Sequence, residues 1–290
     1  TAGGGNDTMA RILTRKLGPD LGQSIQVDNR AGANGSVAAE FVAAARPDGY
    51  TLMFGYIATH GINPVMQEVR YDPLNDFRPV GLIGYSPSML VVSAGLKVAS
   101  VHELIEHIRL HPESMMYASA GEGTVPHLAA EMFLNHHGLV VEGVTHAGAA
   151  PAINSIVRGQ TQWMFPSLFS ALPYLKTGKL RPLAVAGLHR LPDWPEVPTF
   201  GELGLDALDL TQWYGLFAPA KTPDHIIAHL NAALNRVLCD PEIVSRMLQD
   251  GAQVQASSPD QLRQHVTAEL ERWAGVMSAF HVSDTVDAVS

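Results

Sequence analysis

The sequence predicts an α/β protein of two domains. Strand-like apolar runs alternate with amphipathic helical patterns along most of the chain, the signature of βαβ units and mostly parallel sheets. Small-residue turns recur where a strand would pass into a helix, at 3–5, 119–124 and 147–150. The 290 residues, 46% hydrophobic and 16% charged, suffice for two cores under a modestly charged surface.

Gly3, Gly4 and Gly5 open the first helix, whose apolar face is Met9, Ile12, Leu13 and Leu17. Asn6 or Asp7 can cap its first turn. Glycines let backbone N–H groups turn inward, and a helix start adds unpaired amides and a partial positive charge. This segment reads either as an anion seat or as an ordinary packing turn. Residues 24–28 read as a strand, 32–35 as a second glycine turn and 36–45 as a helix. Pro47-Asp48-Gly49 is a turn, and 50–54, 80–84 and 89–93 are apolar strands. Ser100 and Glu103 form a capping box ahead of a helix with Leu104, Ile105 and Ile108 inward, and Pro112 stops it.

Residues 115–119 form the next strand, followed by a glycine turn and a helix that begins at Pro126 and ends at Gly138. A strand over 139–144 leads through Ala147-Gly148-Ala149-Ala150 into a helix to Val157. Strand 161–165, helix 168–175 and strand 180–186 follow. After a Pro-rich stretch, 213–218 reads as a long strand, and the remainder is mainly helical, with Pro223 and Pro259 at first helical positions. In open α/β sheets the carboxyl ends of strands form the ligand crevice. Several such turns, on what read as two sheets, predict two facing crevice walls in a hinged binding protein.

Net charge is −9 with no polybasic run, which argues against nucleic acid as a partner. The single cysteine, Cys239, permits no intramolecular disulfide and no thiolate metal cluster. No apolar run reaches the ~20 residues that span a bilayer. The chain begins inside a turn with no strand ahead of Gly3, so a precursor is expected to carry upstream residues, including a removed targeting segment.

Enzyme readings find little support. Gly3 and Gly5 give G-x-G, but Thr8 stands where a dinucleotide fingerprint needs its third glycine, which weakens an oxidoreductase reading. The sequence holds no G-x-x-x-x-G-K-[ST] and no G-x-S-x-G elbow, and no Asp pairs obviously with His60 or His127 to make a hydrolase triad around Ser119 or Ser167. His107 and His111 share a helix face without the intervening Glu of a zinc motif, and His136-His137 reads as a solvated helix end. No metal and no cofactor is expected.

Gly3-Gly4-Gly5-x-Asp7 with Ala10-Arg11, Val27-x-Asn29-Arg30-x-Gly32-Ala33-x-Gly35 and Pro47-Asp48-Gly49-Tyr50-Thr51-Leu52 occur in order. So do Thr59-His60-x-Ile62-Asn63-Pro64, Tyr117-x-Ser119-Ala120-Gly121-x-Gly123, Ser170-Ala171-Leu172-Pro173 and Trp213-Tyr214-Gly215-Leu216-x-Ala218-Pro219. Over nearly its whole length the chain resembles the Bug-type substrate-binding proteins of tripartite tricarboxylate transporters.

The resemblance implies a two-domain type II periplasmic binding-protein fold, each domain a mostly parallel sheet flanked by helices, with the ligand cleft between domains. It places domain 1 at 1–97 plus 218–290 and domain 2 at 98–217. It implies a periplasmic, monomeric receptor that takes a small organic acid and works with membrane components of the transporter, or feeds a signalling system instead. One carboxylate is expected to be held by backbone amides around Ala2, Gly3, Gly4, Gly5, Thr59, His60, Ser119, Gly121, Ala147, Gly148 and Ala149. For His60 two roles stay open: donating to a carboxylate, or bracing its loop.

The chain departs from the family at Pro166, where an Asp that can meet a ligand ammonium often stands. That argues against an amino-acid ligand. Pro166, Ser167 and Phe169 are expected to read the ligand's second end. Trp163 is either core packing or a reshaped crevice wall. A dicarboxylate, aromatic or aliphatic, is the expected ligand, with a terephthalate-like molecule favoured.

Overall fold

The computed structural model describes residues 2–208 and 210–287, the last nine of them by backbone alone. The elements are α1 (Gly5–Leu21), α2 (Ser36–Ala43), β1 (Met53–Tyr56), a π-helical turn (Ala58–Ile62), α3 (Asn63–Met66), β2 (Phe77–Ser86), β3 (Met89–Ser93) and α4 (Val101–Leu110). There follow β4 (Tyr117–Ser119), α5 (Val125–His136), β5 (Gly143–Thr145), α6 (Ala149–Val157), β6 (Trp163–Met164), α7 (Leu168–Lys176) and β7 (Leu180–Val185). The chain closes with β8 (Gln212–Pro219), α8 (Asp224–Leu238), α9 (Pro241–Gln249), β9 (Gln253–Val254) and α10 (Pro259–Asp287).

The expected alternation is present, with specific differences. Residues 24–28 lie outside the described strands. Ile25 and Val27 have the alternation of a strand, but a strand exists only when a neighbour completes its hydrogen bonds. β1 starts at Met53 because Tyr50, 76% exposed, projects into solvent instead of the core. Pro223 is the N-cap of α8, one position earlier than expected, whereas Pro259 does occupy the first position of α10. The capping box at α4 forms: Glu103 N donates to Ser100 Oγ at 3.1 Å, and Glu103 Oε2 accepts from Ala99 N at 2.8 Å. Replacing such a cap typically destabilises by about 1 kcal/mol.

Two compact units divide the chain. The first comprises Thr1–Met9, Tyr85–Gln212 and Ser245–Gln253; the second comprises Ala10–Gly84, Trp213–Val244 and Val254–Ser290. The sequence-based limits differ, at 97/98 and 217/218. The chain crosses between units at 84/85 and 212/213, and the segments 1–9 and 245–253 group with the first unit.

In the first unit the sheet order is β5-β4-β6-β3-β7. β4 pairs in parallel with β5 and β6, while β3 is antiparallel to β6 and β7. The sheet is therefore mixed: helical crossovers α5 and α6 enforce parallel pairing only among β4, β5 and β6. Alternate side chains serve opposite faces. Met164 joins Val91, Ala118, Ile153, Ile156 and Leu172 in one core, whereas Trp163 and Phe165 pack with Phe133 of α5. Each fully buried large side chain contributes about 1.5–3 kcal/mol. Trp163 is completely buried between Tyr117, Phe133 and Phe165, which assigns it to core packing.

In the second unit the sheet order is β1-β8-β2-β9, with β1 antiparallel to β8 and Met53 opposite Phe217. Its core includes Phe77, Phe217, Trp213 and Trp273. Trp213 Nε1 donates to the buried Glu269 Oε2 at 3.0 Å, tying β8 to α10. Among the described residues no helix is long and apolar enough to cross a membrane.

Candidate functional site

The carboxyl ends of β5, β4 and β6 lie along one edge of the first unit's sheet. Ser119 is in register with Thr145, and Tyr117 with Trp163. Each strand then turns into a helix: β5 into α6, β4 into α5 and β6 into α7. This edge carries the Ala147-Gly148-Ala149 turn, the turn with Ser119 and Gly121, and Pro166, Ser167 and Phe169. The turn with Gly3 and Gly5 meets α7: a Cβ on Gly5 would stand 3.0 Å from Ser170 Oγ and 3.4 Å from Phe169 Cδ1. Ala2 and Gly3 are exposed, and Gly4 and Gly5 partly so.

The helix starts at this edge are not equivalent. The start of α7 is closed: Leu168 N donates to Pro87 O at 2.8 Å, Phe169 N to Ser86 Oγ at 3.1 Å, and Ser170 N to Ser167 Oγ at 3.3 Å. Ser86 is held in turn by donating to Gly251 O at 2.9 Å. Pro166, Ser167 and Phe169 are buried, and Ser167 acts as the α7 cap. The turn before α5 folds on itself, with Thr124 Oγ1 donating to Gly121 O at 2.6 Å and Gly123 N to His127 Nδ1 at 3.3 Å. Gly121 has φ +135°, which favours glycine.

α1 has an internal anion. Gly3, at φ +74°, donates its N–H to Asp7 Oδ2 at 2.8 Å, and Asp7 is 7% exposed. The sequence raised Asp7 as a cap; the consequence is that α1's positive end already faces a carboxylate.

α6 is open. Its N-cap is Gly148 at φ +123°, with no side-chain cap. Pro151 lacks an N–H, and the N–H groups of Gly148, Ala149 and Ala150 meet no acceptor among the described residues. A helix start with free amides favours a negative charge. His146 sits beside it, its N–H donating to Ser119 O at 3.0 Å, and its Nε2 is buried without a partner among the described residues. The segments 3–9, 117–127, 143–153 and 163–173 contain neither Lys nor Arg. Recognition of an anion here would rest on main-chain N–H groups, hydroxyls and helix dipoles.

Thr59 and His60 belong to the second unit, in the π-helical turn, and both are fully buried. The imidazole stacks on Phe217 at 3.9 Å between centroids and meets Phe77 edge-on at 4.9 Å. Thr59 Oγ1 accepts from Tyr56 N at 3.2 Å and donates to Tyr56 O at 3.1 Å. Its one proton being used there, the 2.9 Å contact with His60 Nδ1 makes Nδ1 the donor. Burial lowers the His60 pKa to about 3, so the ring is neutral. Of the two roles left open for His60, its side chain takes the bracing one.

Sequence reasoning missed Ser86, His146 and Ser170. The Ser170 position carries a local signal, being three residues after the N-cap Ser167. Ser86 lies more than eighty residues from the amide that it caps, and no local pattern marks it. Among the described residues no group of three or more His, Cys, Asp or Glu could hold a metal ion.

Two α/β units with crossing strands and helix starts gathered at a sheet edge define the periplasmic binding-protein class. Comparisons with known proteins agree. The sequence matches the tripartite tricarboxylate transporter family receptor over residues 9–282. Protein BugT of Bordetella pertussis is 32% identical over 95% of this chain and 85% of its own length. MatC of Rhodopseudomonas palustris, solved with bound malate, is 35% identical with a TM-score of 0.89, covering 95% of each chain. Rpa4515 of R. palustris, solved with adipate, is 33% identical with a TM-score of 0.91, covering 96% of this chain and 93% of that one. The chain belongs to the tripartite tricarboxylate transporter receptor family, with a periplasmic binding-protein fold.

Proposed function

We propose that this protein is a monomeric periplasmic receptor that captures a small dicarboxylate and presents it to the membrane components of a tripartite transporter. The observation that carries this reading is the uncapped start of α6, where Gly148, Ala149 and Ala150 offer main-chain N–H groups to one carboxylate. A charge-assisted hydrogen bond contributes about 1.5–3 kcal/mol, and a helix start about 0.3–1 kcal/mol. A few such contacts reach the ~8 kcal/mol of a micromolar complex once ordering is subtracted.

The second end of the ligand is read near Gly5 and the first turn of α7. β5 and β6 are separated only by β4, so their ends stand roughly 10 Å apart. Roughly that span is covered by a short diacid with a hydrogen bond at each end. Pro166 in place of a carboxylate leaves an ammonium without a partner there, which supports diacids over amino acids. Malate and adipate, the ligands named for MatC and Rpa4515, support an aliphatic diacid. Trp163 belongs to the core, so it gives no support to an aromatic one.

A thermal-shift panel of malate, adipate, terephthalate, aspartate and glutamate tests the reading. The expected result is stabilisation by at least one aliphatic diacid and none by the amino acids. Stabilisation by glutamate or aspartate, with none by malate, adipate or terephthalate, would refute it.

A further inference from the structure

The first turn of α7 holds serine hydroxyls beyond the one that caps it. Ser167 Oγ accepts from Ser170 N at 3.3 Å and donates to Ser170 Oγ at 3.0 Å. Ser170 Oγ therefore keeps its own proton, for which the described residues supply no acceptor. Ser170 is partly exposed, and its hydroxyl lies 3.0 Å from the point where a Gly5 Cβ would stand. The hydroxyl lies against the first glycine turn at Gly5, which has room there for no side chain larger than that of glycine without a shift.

Behind this pair sits Ser88, fully buried, its hydroxyl without a partner among the described residues. Met89 N donates to Pro166 O at 2.9 Å and Leu168 N to Pro87 O at 2.8 Å. These bonds bracket the antiparallel bridge Ser88↔Ser167 and make it a non-hydrogen-bonded pair. Side chains of such a pair share a face, with Cβ atoms about 5 Å apart. Ser88 and Ser167 therefore stand side by side on one face of the bridge. A buried hydroxyl left unpaired is destabilising, so its presence asks for a reason.

We infer that Ser88, Ser167 and Ser170 form a hydroxyl file that delivers one polarised donor to the ligand's second carboxylate. Ser170 makes the contact, Ser167 relays, and Ser88 is a positioning residue. Ser88 O–H turns onto the second lone pair of Ser167 Oγ, Ser167 O–H points to Ser170 Oγ, and Ser170 O–H points to the ligand oxygen. Each link strengthens the next, and catalytic-site and binding-site bonds of this kind commonly tighten only when the ligand arrives. The inference rests on the reading that the ligand is a diacid with one end at α6.

Calorimetric titration of malate, adipate, butanoate and hexanoate into wild type, Ser170→Ala and Ser88→Ala tests it, with melting of each apo-protein as control. Ser170→Ala is expected to weaken the bound diacid by about tenfold or more and to leave the monocarboxylate of the same length unchanged. Ser88→Ala is expected to weaken the diacid by about threefold while melting no lower than wild type, because the lost hydroxyl had no partner. Wild-type affinity for the diacid in Ser170→Ala would overturn the file. A lower melting temperature with unchanged affinity in Ser88→Ala would return Ser88 to packing. Failure of wild type to bind either diacid would instead refute the functional reading beneath it.

Discussion

The Gly3 N–H donates to the Asp7 carboxylate at 2.8 Å, so the first glycine turn is tied to the helix that it opens. Asp7 is 7% exposed and sits in the first turn of α1, where a negative charge is favoured. Asp7→Ala removes this tie. The expected loss is about 1 kcal/mol of stability, the usual effect of deleting a helix cap. Urea unfolding of the variant measures it, and an unchanged midpoint would show the turn held by other contacts.

Gly4→Asp brings a second carboxylate to the same turn. At about 5 Å with an effective dielectric near 20, a like charge opposes an anion by about 3 kcal/mol, or roughly a hundredfold in affinity. Gly4 lies at the partly exposed turn, so the fold should remain. Calorimetry with the best diacid should show binding lost at concentrations that saturate wild type. Retained binding would move the anion away from Gly3–Gly5.

Gly143 and Tyr117 face each other across β5 and β4, and a Cβ on Gly143 would overlap the Tyr117 ring. Tyr117 also donates to Glu131 and is itself 3% exposed, so it has little room to retreat. Gly143→Ala should destabilise by about 1–3 kcal/mol through overpacking. It should also weaken ligand binding, because β4 and β5 aim the turns at Ser119 and Gly148. Thermal melting and calorimetry on the one variant separate the effects.

His60 carries a pH dependence of calculable sign. Its folded pKa lies near 3, below the ordinary 6.5, so the unfolded chain binds more protons in between. The stability contributed by neutral His60 is complete above about pH 6.5 and is lost as pH falls towards 3, at up to roughly 1.4 kcal/mol per pH unit. His60→Phe keeps the stacking on Phe217 without the titration. Urea unfolding from pH 7 to 5 should show a shallower fall for the variant than for wild type. Parallel slopes would mean that the ring is protonated inside the fold.

What could be read from the sequence was what is local. Ser100 with Glu103 marks a helix start by chemistry confined to four residues, and that box forms as expected; Pro259 likewise opens α10 as its position in the sequence predicts. The strand-to-helix turns that line the first unit's edge were visible for the same reason. What escaped depends on distant neighbours. Whether residues 24–28 become a strand is decided by what lies beside them, not by Ile25 and Val27. Whether Trp163 or His60 meets solvent depends on Phe133 and Phe217, far along the chain. The distinction between the closed start of α7 and the open start of α6 rests on Ser86 and Pro87, which only tertiary folding brings to Phe169 and Leu168.

The central claim is that main-chain N–H groups at the start of α6 grip a ligand carboxylate. Amide chemical shifts of ¹⁵N-labelled protein, followed during titration with malate or adipate, test it most directly. The account predicts that the Gly148, Ala149 and Ala150 amide protons move downfield with saturable binding, and that acetate at equal concentration moves them far less. Saturable diacid binding that leaves all these amides in place would contradict it.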